Sequence, residues 1–150
     1  MKNNIEFYGM HADGPCLKRM SLEHYKPDLA KPFYFNLEIS VRYLDLGVED
    51  AIGSFSVIIA NPTGITEYYQ NEIINREIVF GEKVIIFKEN YSHESLHQFI
   101  ENLVNTCNGR NSYESTILLL RFFESVDFSG GPPNGDYYLL FDKIKQKDSD

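Results

Sequence analysis

Residues His93-Glu94-Ser95-Leu96-His97 match the HExxH pattern. On a helix, that spacing sets two imidazoles one turn apart, able to share a zinc ion, with the glutamate activating a water. Three features weigh against that chemistry. The pattern falls in the first turn of its helix, directly after the capping residue Ser92, whereas a rigid metal site needs supporting turns on both sides. Position 103, where an extended zincin pattern has its third histidine, is Leu103, and Glu124 qualifies as a third ligand only if two helices converge. A first-turn glutamate also has a plain role, because carboxylates there are favoured by the helix dipole. A zinc-dependent hydrolase using His93, Glu94 and His97 is therefore the alternative reading. The expected cofactor complement is none.

The other reactive side chains form no constellation. Cys107 lies on an apolar helical stripe and reads as a small core residue. Cys16 sits in the turn-rich stretch Asp13-Gly14-Pro15-Cys16, near Lys18 and Arg19, and reads as a free structural thiol. The two cysteines are far apart and form no CxxC pair, so neither a disulfide framework nor a zinc ribbon is expected. There is no G-x-S-x-G elbow and no GxxxxGK[ST] or GxGxxG phosphate loop.

The elements that would position these groups follow from hydrophobic periodicity. Residues 33–43 alternate strictly: Phe33, Phe35, Leu37, Ile39, Val41 and Tyr43 against Tyr34, Asn36, Glu38, Ser40 and Arg42. This predicts a strand with one face on the core and one toward water. A second strand is expected over 54–60, joined to the first by an acidic, glycine-containing hairpin loop at 44–53 and ended by Asn61-Pro62. A short helix from Pro62 to about Gln70 is expected, weakened by Gly64. Residues 83–88, apolar on both parities, read as a central strand. Ile78-Val79-Phe80 adds a short strand or bulge, residues 5–8 an edge strand and residues 137–141 a last one.

Two helices follow. Leu96, Phe99, Ile100, Leu103, Val104 and Cys107 form one stripe over 92–107, with Ser92 as cap and Asn108-Gly109 as a left-handed stop. A second helix runs from Ser112 to about Val126, with Asn111 as cap and Glu114 completing a capping box. Residues 130–135 are a Gly/Pro loop and 143–150 a frayed, charged tail. The whole reads as a single domain over 1–150. Its expected class is α+β: an antiparallel sheet of about four to six strands, with the two consecutive C-terminal helices packed on one face.

Composition narrows the function further. The 150 residues carry 14 Lys and Arg against 22 Asp and Glu, a formal net charge of −8, which argues against phosphate-backbone binding. No apolar run approaches the ~20 residues that span a bilayer, and no secretory signal opens the chain, so a cytoplasmic protein is expected. The acids are unevenly placed. Between Tyr34 and Phe80 there are seven of them, against Arg42 and Arg76. Such a face steers a basic partner toward it.

Taken in order, these pieces resemble the immunity protein 8 family of bacterial polymorphic toxin systems, over roughly residues 22–128. The likeness rests on Tyr25-Lys26-Pro27-Asp28 leading into Phe33-Tyr34-Phe35-Asn36-Leu37. After these come the acidic hairpin, Phe55-Ser56-Val57-Ile58-Ile59 with Asn61-Pro62, the strand around Val84 and Phe87, and Arg121-Phe122-Phe123-Glu124-Ser125-Val126-Asp127-Phe128. Tyr113 and Phe122-Phe123 stand where family members tend to carry tryptophan. The resemblance implies a small α+β protein without catalysis that neutralises a cognate toxin domain by masking its surface. On that reading the contact is expected on the acidic loop at 44–53 and the nearby segment 67–77, at Asp45, Glu49, Asp50, Glu67, Tyr68, Tyr69 and Glu72. The partner is expected to be basic.

Overall fold

The computed structural model describes residues 3–14, 16–17, 20–47, 51–73 and 83–126. Five strands and three α-helices run in the order β1 (Ile5–Asp13), β2 (Tyr34–Tyr43), β3 (Ile52–Ala60), α1 (Pro62–Glu72), β4 (Val84–Ile86), α2 (His93–Thr106), α3 (Ser112–Leu119) and β5 (Glu124–Val126). A 3₁₀ turn, Leu22–His24, precedes β2. The class is α+β, as the sequence pattern predicts.

The sheet is built on the β2–β3 hairpin, in which Tyr34 faces Ala60 and Arg42 faces Ile52. β1 pairs antiparallel with the other edge of β2, with a bulge at Tyr8 between Phe7 and Gly9. The outer edge of β3 is shared: β4 pairs parallel with Ile58–Ala60, and β5 pairs antiparallel with Ser54–Ser56. The alternation of β2 divides the sheet cleanly. Phe35, Leu37, Ile39 and Val41, together with Phe55, Val57 and Ile59, point to one side and are almost fully buried. Leu96, Ile100 and Val104 of α2 and Leu119 and Phe123 from the α3 region close the core on that side. Burying an apolar side chain of this size contributes roughly 1.5–3 kcal/mol.

Side-chain caps anchor the helices. The Ser92 hydroxyl accepts from Ser95 N, and Asn111 Oδ1 accepts from Glu114 N, each replacing a backbone acceptor the first turn lacks. Asn61 does more than end β3. Its Oδ1 accepts from Gly64 N at 2.8 Å, capping α1, and from Phe33 N at 3.0 Å, while its Nδ2 donates to Lys31 O at 2.8 Å. One buried side chain thus ties the start of β2 to the start of α1. Gly64 is required there, because a Cβ would lie 1.8 Å from Phe33 O.

The structure departs from the sequence reading in five places. The second C-terminal helix stops at Leu119, and Glu124–Val126 form a strand instead. The cause is long-range: the Lys83 ammonium donates to Leu120 O and, at 3.2 Å, to Phe123 O, so it satisfies the carbonyls that end the helix. β4 is three residues at the edge of the sheet, not a central strand, and it runs parallel to β3 through the crossover α1. β1 extends to Asp13. The turn after α2 uses no left-handed residue, since neither Asn108 nor Gly109 has a positive φ. Phe99 is 49 % exposed on the shoulder of α2 rather than in its buried stripe. The expected features at 78–80, 130–135, 137–141 and 143–150 lie outside the described residues.

Candidate functional site

The expected site residues separate into two groups at opposite ends of the β2–β3 hairpin. Asp45 follows the end of β2, at the turn. Glu67, Tyr68, Tyr69 and Glu72 are on α1, which starts after the far end of β3. Nine-residue β3 puts those ends about 26 Å apart at a strand rise of ~3.3 Å per residue. Glu49 and Asp50 lie outside the described residues.

Asp45 is turned inward. Its carboxylate accepts from the Ser112 hydroxyl and, at 3.2 Å, from Ser112 N, so it sits at the N-terminus of α3, where the helix dipole favours an anion. Nearby, the phenol of Tyr43 shares a 2.9 Å hydrogen bond with the Thr116 hydroxyl. Burial pushes that phenol up to about 12, with the Asp45 charge adding to the effect. These contacts fasten the hairpin turn to α3.

The α1 group is arranged around Tyr34, which lies on the side of the sheet away from α2 and α3. Its hydroxyl donates to Glu72 Oε1 at 3.1 Å and accepts from Asn71 Nδ2 at 3.5 Å. Burial raises its pKa, the Asn71 hydrogen bond works against this, and Glu72 adds to the rise. The Tyr34 ring meets Tyr68 edge-on at 5.5 Å, and Tyr68 meets Tyr69 at 5.7 Å. The result is a ridge of two half-buried rings, Tyr68 and Tyr69, seated on the buried Tyr34 and bordered by the exposed Glu67 and Glu72. Tyrosine anchors next to desolvated polar contacts are the composition of many protein-binding hot spots. Tyr34 is absent from the residues the sequence singled out, although its outward place in the β2 alternation was a usable signal.

Of the HExxH residues, Glu94 and Ser95 are exposed, His93 and His97 are half-buried and Leu96 lies in the core. The His93 and His97 rings lie 6.3 Å apart. His97 Nδ1 is 3.7 Å from Glu101, and its ring meets Phe7 edge-on at 5.1 Å. Glu124, the conditional third ligand, is in β5 opposite Ser56 and 4.0 Å from Lys83, on the other side of the sheet from α2. Among the described residues, no group of three or more His, Cys, Asp or Glu side chains could hold a metal ion. No helix among them is long and apolar enough to cross a membrane.

A family description, Immunity protein 8, matches residues 15–125. That stretch runs from just after β1 into β5 and takes in α1 and its tyrosine ridge. No curated protein and no solved structure matches the chain.

Proposed function

The chain belongs to the immunity protein 8 family, and on that premise we propose that it neutralises a cognate bacterial toxin domain by covering the toxin's surface, without catalysis of its own. The observation that carries this reading is the family match across most of the fold. The net charge of −8 supports a basic partner, because complementary potentials accelerate encounter and reject wrong partners.

The contact is placed on the α1 ridge. Tyr68 and Tyr69 supply rigid aromatic area, and Glu67 and Glu72 supply charge. Asp45, occupied by Ser112, acts by fastening the end of β2 to α3, and Glu49 and Asp50 are proposed as further contacts from their charge alone.

Co-expression with the toxin domain encoded beside it tests the reading. A co-purifying complex and protection of the host from toxicity are expected. Absence of a complex at low salt, together with no protection, would overturn it.

A further inference from the structure

We propose that the open face of the sheet, across β1 and β2, is part of the toxin-docking surface and receives a basic face of the toxin. This inference rests on the toxin-neutralising reading above.

Among the described residues, no helix covers the β1 and β2 part of this face. α2 and α3 close the opposite side, and α1 reaches only the Tyr34 end. Register brings Glu6 beside Arg42 and His11 beside Glu38, all pointing away from the core. The face is continuous with the α1 ridge, because Tyr34, Glu38 and Arg42 lie on one side of the same strand.

Its charges suit a cation. Arg42 is already engaged: its guanidinium carries Glu6 at 3.4 Å and stacks over the Tyr8 ring at 4.6 Å. Glu38 has only an imidazole, His11 at 3.5 Å, as its ion-pair partner among the described residues. Among the described residues, then, Glu38 is paired with no Lys or Arg on this face. Tyr8, 52 % exposed at the β1 bulge, is an aromatic anchor whose ring is held in place by Arg42.

Size is adequate as well. From Tyr34 to Arg42 the strand covers about 27 Å, and two strands at ~4.8 Å spacing give a patch of roughly 260 Å². That is about a third of the ~800 Å² that each partner contributes to a standard interface, and the adjoining α1 surface adds to it.

The test measures binding of the full-length protein to the catalytically inactivated toxin domain encoded beside it. Glu38→Lys and Tyr8→Ala are each expected to weaken binding about tenfold or more, with the Glu38 change acting mainly on the association rate. Glu94→Lys, on α2 behind the sheet, should stay within twofold. Carboxyl labelling of the unaltered protein, read by mass spectrometry, keeps the test independent of any variant's folding. Glu6 and Glu38 should be protected in the complex and Glu94 not. If both sheet variants bind within twofold and Glu38 is labelled equally with and without toxin, this inference fails, while the α1 reading stands if Glu72→Lys weakens binding. If the unaltered protein does not bind the toxin domain, the toxin-neutralising reading fails and takes this inference with it.

Discussion

Replacing Asn61 with alanine should destabilise the protein by about 3 kcal/mol. Asn61 is 6 % exposed, and its Oδ1 serves two buried backbone donors, Gly64 N and Phe33 N. Loss of the α1 cap costs about 1 kcal/mol. Leaving the Phe33 N–H buried without an acceptor adds about 1–3 kcal/mol. Lys31 is exposed, so water replaces the lost Nδ2 bond to its carbonyl at little cost. For a chain of this size, 3 kcal/mol lowers Tm by roughly 6–12 °C. Urea denaturation followed by circular dichroism reads the change, and an unchanged slope would show that the denatured state is unaffected. Asn61→Asp keeps both acceptor bonds at the start of α1, where the helix dipole favours an anion, but turns an acceptor oxygen toward Lys31 O in place of the donor, so it should lose about 1 kcal/mol. An alanine variant within 1 kcal/mol of the original, or an aspartate variant as unstable as alanine, would refute this account of the β2–α1 junction.

Three further outcomes are expected. Gly64→Ala gains about 1 kcal/mol of helix propensity but places a methyl group 1.8 Å from Phe33 O, so net destabilisation of at least ~2 kcal/mol is expected in urea melts; a stabilised variant would contradict the close approach. Burial pushes Tyr43 and Tyr91 each to about 12, so the unfolded chain loses its phenol protons first. Burial raises the Cys107 thiol as well, so stability should begin to fall above about pH 9 and fall further as pH rises toward 12, checked by urea midpoints alongside phenolate absorbance; a midpoint unchanged at pH 11.5 would contradict it. Lys83→Met removes the donor to Leu120 O and Phe123 O and should destabilise by about 1.5–3 kcal/mol, with the loss of amide protection concentrated in β5; uniform loss across the chain would argue against a local role.

How far the sequence could be read depended on whether the deciding interaction was local. The strict alternation of β2 and the stripe of α2 are local patterns, and so are the Ser92 and Asn111 caps. All are present in the structure, the stripe without Phe99. The end of α3 was not legible, because residues 117–123 are apolar enough for several conformations and the choice is made by Lys83, more than 30 residues earlier. Gly64 looked like a weakness in α1 for the same reason: the Phe33 carbonyl that requires it is distant in sequence.

The candidate site was legible in composition but not in arrangement. Asp45 and Glu72 belong to one acidic stretch of sequence, yet the hairpin sends them to opposite ends. Tyr8, Glu38 and Arg42 share a face only through the register of β1 on β2 and the bulge at Tyr8, which no single-strand pattern specifies.

The central claim is that this protein works by occupying a toxin rather than by transforming a substrate. The most direct test adds the purified protein in increasing amounts to the active toxin domain encoded beside it and follows the toxin's activity. Activity should fall to baseline near the stoichiometric ratio and return as salt dissociates the pair. Toxin activity that persists undiminished at tenfold excess, at low salt, would contradict the account.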